Sequence, residues 1–200
     1  MKRILCIASA VLLLAGCGIL SSLSGGGSGS SQSSLGGSKT FTFNSLPKNV
    51  QDLQALPEAK LSTPYATTAL TLLALTRYEE SPEDCLEMLD FLKGPEDVST
   101  YEKQFIRERI QGKNYKVLSF FKGTRPDNNY TPTKPYTITV SSNSHSFDND
   151  GWATLYVQSS GADNPRPVKL RKKSSTGEWF LNEIQCLSDI RLPANQDKWY

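Results

Sequence analysis

The chain has 200 residues, of which 38% are hydrophobic and 21% charged, with a formal net charge of +2 at pH 7. Removal of residues 1–16 would take away Lys2 and Arg3 and leave 20 basic and 20 acidic side chains. This balance excludes a strongly basic nucleic-acid-binding domain, and no apolar run is long enough for a transmembrane helix.

The N-terminus has the pattern of an export signal. Met1-Lys2-Arg3 is basic, and the stretch from Ile4 to Leu14 is apolar apart from Ser9. These residues would form a helix about 16 Å long, too short to cross a hydrocarbon core of ~30 Å. The segment therefore fits the apolar region of a signal peptide.

The apolar run ends in Leu14-Ala15-Gly16-Cys17. This motif resembles the lipobox of bacterial lipoproteins, in which the matching cysteine receives a diacylglycerol and the signal is cut just before it. The resemblance implies a signal peptide at residues 1–16, a lipidated Cys17, and a membrane anchor that holds the protein in the bacterial cell envelope, outside the cytoplasm. The alternative is an ordinary signal peptide that happens to contain a cysteine.

Residues 17–39 are rich in glycine and serine and are predicted to form a flexible linker. A coil of this length has an r.m.s. reach of about 26 Å. The linker either lets the folded part search for a partner or is a plain spacer. Residues 40–200 are predicted to form a single globular domain.

Two cysteines remain in the predicted domain, Cys85 and Cys186. A single pair in an exported protein indicates a possible disulfide, which would close a loop of about 100 residues. Two separate buried thiols are the alternative, and the sequence leaves both open.

Three helices are predicted in the first half of the domain. Thr63-Pro64 and Ser81-Pro82 are start signals, with a capping residue followed by proline. Ser99 and Glu102 form a third start signal, the capping box, and Gly112 ends that helix.

The period then changes to that of β-strands. Tyr115 to Phe121 has β-type composition, and apolar residues alternate with polar ones in segments 136–141, 152–157, 168–171 and 178–186. Helices first and strands later indicate an α+β fold, with about three N-terminal helices packed on one face of a four- to five-stranded antiparallel sheet.

Aromatic residues are expected on the opposite face of this sheet. Tyr136, Trp152, Tyr156 and Trp179 would form an exposed platform for binding if their strands are neighbours. The alternative is that the segment from Phe41 to Leu61 covers this face.

Two turn segments are further binding candidates. Arg166 either recognises an anionic group or belongs to a rigid turn in which Asp163 holds it. Asn128-Asn129-Tyr130 either caps turns or binds sugar hydroxyls beside a stacking ring. The basic cluster Lys169, Arg171, Lys172 and Lys173 is a solvated strand end or a site for phosphate or lipid headgroups.

Motifs for chemistry are weak. The one histidine, His145, lies beside Ser144, Ser146 and Asp148 in a loop, where adjacent residues rarely form a catalytic triad. Asp148-Asn149-Asp150-Gly151 is half of a calcium loop, or an ordinary turn. We therefore predict no catalytic residue, no metal site and no cofactor.

Several segments resemble a domain family of unknown function found in exported bacterial proteins. They are LDFLKGPEDVSTYEKQFIRERIQGKNY, NNYTPTKPYTITV, SSGADNPRPVKLRKKSSTGEWFL and DIRLP. The resemblance covers about residues 63–199 and implies one domain without indicating its chemistry.

The functional expectation is a membrane-anchored, non-enzymatic binding domain whose partner is a protein, peptide or glycan. A hydrolase that uses His145, or carboxylates such as Asp148 and Asp150, is the first alternative, and a structural envelope component is the second.

Overall fold

The computed structural model describes residues 37–199. The predicted signal peptide, Cys17 and most of the predicted linker lie outside these residues. The helices are α1 (Val50–Gln54), α2 (Pro64–Thr76), α3 (Pro82–Lys93), α4 (Thr100–Ile110) and α5 (Tyr115–Leu118), with short 3-10 turns at Pro57–Lys60 and Pro126–Asn128. The strands are β1 (Ser38–Phe43), β2 (Tyr136–Ser141), β3 (Trp152–Val157), β4 (Arg166–Lys172) and β5 (Trp179–Ile184).

The strands form one antiparallel sheet of five, in the order β1-β2-β3-β4-β5. The predicted α+β fold is confirmed. β1 pairs with β2 from Ser38 to Phe43, so part of the segment expected as a cover is instead an edge strand. β5 forms the other edge of the sheet.

The predicted strand at Tyr115–Phe121 is wrong. Residues Tyr115–Leu118 form α5, and the following turns continue with hydrogen bonds from Ser119 N to Tyr115 O and from Phe121 N to Leu118 O. Tyr115, Val117, Phe120 and Phe121 are buried in this conformation. Tertiary packing therefore overrides the β-type composition of the segment.

α2 is the central element of the domain. It packs across the sheet, and 12 of its 13 residues are buried. Its threonine hydroxyls do not remain unpaired, because Thr68 donates to Pro64 O at 2.9 Å and Thr71 to Thr67 O at 2.8 Å. Thr67 donates to the carbonyl of Trp179 at 2.7 Å and so joins the helix to β5.

The three predicted helix starts are confirmed by their caps. Thr63 accepts a hydrogen bond from Ala66 N, Ser81 accepts one from Asp84 N, and Ser99 and Glu102 form the reciprocal capping box. These local bonds fix where α2, α3 and α4 begin.

The hydrophobic core lies between the helices and one face of the sheet, and all its residues fall between Phe43 and Ile190. Cys85 in α3 and Cys186 after β5 are both buried, free thiols, so the disulfide considered from the sequence is not formed in this structure. None of the helices in residues 37–199 has the length and apolar character needed to cross a bilayer.

Candidate functional site

A groove lies between α3, α4 and β5 and encloses a cavity of about 330 Å³. Its apolar walls are formed by side chains from all three elements: Leu89, Val98, Phe105, Ile106, Leu181 and Ile184. Tyr101, 79% exposed, also lines it, and Phe105 is half-buried beneath the guanidinium of Arg109, 5.3 Å from the ring centroid. The groove is thus an accessible apolar surface with aromatic residues along α4.

A β-bulge shapes the β5 side of this groove. Leu181 pairs with Leu170 and Ile184 pairs with Val168, so both face the core although three positions separate them. Glu183 pairs with Lys169, on the other side of the sheet. Because residues from both sides of β5 line the cavity, the groove runs along the β5 edge of the sheet. Part of this edge is already bonded, since Lys93 Nζ donates to Asn182 O at 3.4 Å and Trp179 N donates to Leu61 O at 2.8 Å.

An ion pair lies within the groove. Lys93 Nζ donates to Glu102 Oε1 at 2.7 Å, and the Lys93 side chain is only 8% exposed. Glu102 Oε2 also accepts hydrogen bonds from the backbone N and the hydroxyl of Ser99, at 2.8 and 2.7 Å. Burial raises the pKa of Glu102, but the hydrogen bonds from Lys93 and Ser99 outweigh it and hold the pKa below its ordinary value.

The second carboxylate of the groove is also satisfied. Glu183 accepts from Lys169 Nζ at 2.9 Å and from Gln185 Nε2 at 2.7 Å, and these bonds lower its pKa. The charged groups that line the cavity are thus paired within the domain. Such a site offers apolar contact rather than acid–base chemistry, and residues 37–199 contain no cluster suited to a metal ion.

A family model described as Domain of unknown function (DUF6935) matches residues 45–194. The chain belongs to the DUF6935 family. The match includes all the residues of the groove and stops short of β1 and the N-terminal segment. Comparisons with curated proteins and with solved structures found no match.

The predicted aromatic platform does not assemble on the DUF6935 sheet. Trp152 and Tyr156 do share the outer face of β3, opposite Arg171 and Pro167. Tyr136, however, pairs with Phe43 and packs edge-on against Phe121 at 6.0 Å, on the core side. Trp179 pairs with Lys172, two residues before the core residue Leu181, and so also lies on the helix side.

The alternation of side chains along β5 explains why Trp179 was predicted on the wrong face of the sheet. Plain alternation from Glu178 to Cys186 predicts Phe180, Ile184 and Cys186 on one side of β5 and Trp179 on the other. The bulge adds one residue between Leu181 and Ile184, so Phe180 pairs with Arg171 and is out of phase with Ile184. Its ring lies at the edge of the sheet against Gly94, at the end of α3. A bulge leaves no clear mark in an alternating pattern, and the register was therefore misjudged by one residue.

Two further binding candidates, Tyr130 and Arg166, form hydrogen bonds within the domain and are not free to bind a ligand. Tyr130 is fully buried, and its hydroxyl donates to Arg191 O at 2.8 Å. Arg166 is half-buried and donates to Asp189 O at 2.7 Å, while Asp163 pairs with Arg191 rather than with Arg166. Tyr130 and Arg166 thus both donate hydrogen bonds to the C-terminal segment, whose position the sequence does not predict.

The hydrolase alternative has part of its geometry. His145 Nδ1 lies 2.9 Å from Asp148 Oδ2, but the His145 side chain is 79% exposed. The Ser146 hydroxyl is turned to Asn143, from whose backbone N it accepts at 2.9 Å. Ser146 is therefore not placed to serve as a nucleophile for the His145–Asp148 pair.

Tyr101 and Phe105 are surface residues that the sequence pattern did not identify as candidates for binding. The third predicted helix carries Tyr101, Phe105, Ile106 and Ile110 as its large apolar residues, and of these Ile106 and Ile110 are buried. A detectable signal was present, because four large apolar residues at positions 101, 105, 106 and 110 make a face wider than a narrow buried stripe.

Proposed function

We propose that this protein is a lipid-anchored, non-enzymatic binding protein of the bacterial envelope, and that its DUF6935 domain captures an apolar segment of a partner protein or peptide in the groove. The observation that carries the proposal is the groove itself, an accessible apolar cavity whose charged groups are already paired. Binding there gains from apolar burial without breaking the ion pairs.

A peptide fits this groove better than a glycan does. Sugar recognition needs stacking rings beside polar groups that are free to bond with hydroxyls. The groove has the rings Tyr101 and Phe105, but its carboxylates, Glu102 and Glu183, already accept hydrogen bonds from groups of the domain. An extended peptide, in contrast, finds the edge of β5 along the groove. Pairing with an open strand edge supplies backbone hydrogen bonds, and pockets beside the edge hold alternate side chains.

The cavity volume limits what it accepts. At about 330 Å³ it is at the small end of ligand sites, so it suits one or two apolar side chains rather than a large molecule. Tyr101 and Phe105 on α4 would then close over them, as aromatic residues do at interface centres.

The groove is tested by site-specific photocrosslinking in intact cells. A photoreactive amino acid at Tyr101 should capture a discrete partner, and Phe105→Ser should reduce that capture by about tenfold because an aromatic anchor is lost. Gln104→Ser is the matched control, since Gln104 is an exposed neighbour on α4 that does not line the cavity. Equal capture by both variants, with circular dichroism showing both folded, would contradict the proposal.

The anchor is supported by the sequence Leu14-Ala15-Gly16-Cys17. Mass spectrometry of the native protein should find an N-terminal Cys17 that carries fatty chains, and Cys17→Ser should release the protein from the membrane fraction. An unmodified Cys17 thiol or an uncut signal peptide would overturn the proposed lipid anchor. The proposed binding in the groove would still be tested by the crosslinking experiment.

A further inference from the structure

One end of the domain carries a group of aromatic rings that the groove does not use. β3 begins, β4 ends and β5 begins at the same end of the sheet, because Trp152 pairs with Arg171 and Lys172 pairs with Trp179. β2 runs towards this end but stops level with Tyr156, and the loop after it carries Phe147. Four rings gather there, and we name this surface the aromatic end: Tyr65, Phe147, Trp152 and Trp179.

Three of the rings are in contact, and Trp152 lies at the same end of the strands on the outer face of the sheet. Phe147 lies 6.5 Å from Tyr65 and 6.5 Å from Trp179, measured between ring centroids. Phe147 is 47% exposed and Trp152 39% exposed, so both are among the few large apolar side chains on the surface of the described residues. A group of exposed rings of this kind is typical of a contact surface.

A basic side chain lies over three of the four rings. Lys39 Nζ is 5.4 Å from the Tyr65 centroid, Lys172 Nζ is 5.9 Å from that of Trp179, and the Arg171 guanidinium is 5.1 Å from that of Trp152. Tryptophan and tyrosine favour the headgroup level of a bilayer, and lysine and arginine extend from there to the phosphates.

The anchor-bearing segment joins the domain at this end. Gly37 N donates to Ser142 Oγ at 2.8 Å, Ser142 N donates to Gly37 O at 2.7 Å, and Tyr65 Oη donates to Ser142 Oγ at 2.8 Å. The segment that leads back to Cys17 therefore leaves the domain beside Tyr65. A glycine- and serine-rich linker of this length has an expected reach of about 26 Å, which keeps this end close to any membrane that holds Cys17.

We propose that the aromatic end rests on the membrane that holds the anchor, with Phe147 and Trp152 in the interfacial layer and Lys39, Arg171 and Lys172 at the headgroup phosphates. The inference rests on the lipid anchor proposed above. Acidic Asp148 and Asp150 lie in the same loop as Phe147, so the attraction is weak and depends on the high effective concentration that the linker supplies.

The test uses the full lipidated protein in vesicles of phosphatidylglycerol and phosphatidylcholine whose acyl chains are brominated. Brominated chains quench tryptophans that enter the interface, and Trp199→Phe removes the reporter outside the aromatic end. We expect quenching whose extent gives a docking equilibrium constant that falls about fivefold for each basic residue lost, as in Lys172→Gln, and that is lower in phosphatidylcholine alone. Phe147→Ser should reduce it as well, whereas Lys113→Gln, on another surface, should not.

The outcomes separate the anchor from the docking. Protein that floats with the vesicles but shows no quenching of Trp152 and Trp179 overturns the docking and leaves the anchor intact. Equal quenching in the Lys172→Gln and Lys113→Gln variants also overturns it. Protein that does not float and carries an unmodified Cys17 overturns both the anchor and the docking.

Discussion

Tyr130 and Gly161 show how one close contact holds two loops of the domain together. A Cβ on Gly161 would lie 2.2 Å from Tyr130 Oη and 2.8 Å from Ile190 Cγ2. Only glycine therefore lets the buried ring of Tyr130 reach the carbonyl of Arg191. The same glycine accepts a hydrogen bond from Arg191 N at 2.9 Å, so the contact also holds the C-terminal segment.

Gly161→Ala should lower the free energy of unfolding by about 2 kcal/mol, because the added methyl group displaces a buried ring. Tyr130→Phe removes only the hydroxyl and should cost about 1 kcal/mol. Urea denaturation measures both. If Gly161→Ala lowers the free energy of unfolding by less than Tyr130→Phe does, the loop can move to accommodate the methyl group and the contact is not tight.

The two buried cysteines should be chemically inert in the folded protein. Burial raises the pKa of both the Cys85 and the Cys186 thiols to about 12, so almost no thiolate exists at pH 8. Reaction with a thiol reagent should be slower than in the unfolded chain by on the order of a hundredfold or more. The count of thiols titrated in denaturant, without reductant, checks that the two are not bonded to each other.

The same shift has a consequence for stability. A raised pKa means that the unfolded chain loses these protons first, near the ordinary value of 9.0. The contribution of the thiols is therefore fully present below that pH and is lost as the pH rises towards 12. Cys85→Ala should reduce this alkaline loss of stability, apart from any cavity cost that is constant with pH.

At the scale of elements, the Lys93–Glu102 pair joins α3 to the start of α4. Glu102→Gln keeps an acceptor for the capping box but leaves the Lys93 ammonium, 8% exposed, without a carboxylate. We expect a loss of about 2 kcal/mol in the free energy of unfolding, since the carboxylate is partly exposed and its loss costs less than that of a fully buried partner.

The pH dependence of this variant gives a second check. The lowered pKa of Glu102 contributes stability that is present above its ordinary value of 4.5 and is lost as the pH falls through the folded-state value. Glu102→Gln should therefore approach the parent protein in stability below pH 4.5. The double variant Lys93→Met with Glu102→Gln should recover part of the loss at neutral pH, and a failure to do so would assign the effect to the cap alone.

Local sequence signals predicted the secondary structure well where one side-chain hydrogen bond fixes the start of a helix. The side-chain caps at Thr63, Ser81 and Ser99 placed three helix starts, and alternation placed β2, β3 and β4. β1 was missed although its Thr and Phe residues favour a strand, because its partner lies about 100 residues away along the chain and the segment from Phe41 was considered only as a cover for the sheet. Of the candidate residues, those on β3 were placed on the correct face, whereas the side of Trp179 depended on packing that the sequence does not show.

At the scale of the whole molecule, the groove and the aromatic end have different positions along β5. The strand begins at Trp179, which belongs to the aromatic end, and the groove continues from Leu181 to Ile184 and beyond. If the aromatic end rests on the membrane, the groove residues from Leu181 onward lie further along β5 from the lipid than Trp179 does, and the groove stays accessible to a partner. The two proposals are therefore compatible in one orientation of the domain.

This orientation makes a prediction about the linker. Deletion of residues 24–33 shortens the predicted reach from about 26 Å to about 19 Å while Cys17 and the domain are unchanged. A domain that already rests on the membrane needs little of that reach, so capture of the partner through Tyr101 should stay within about twofold of the parent. Crosslinking in intact cells measures it, with Phe105→Ser as the control for lost binding. A large loss on shortening would mean that the domain has to stand away from the lipid to reach its partner, and would count against contact between the aromatic end and the membrane.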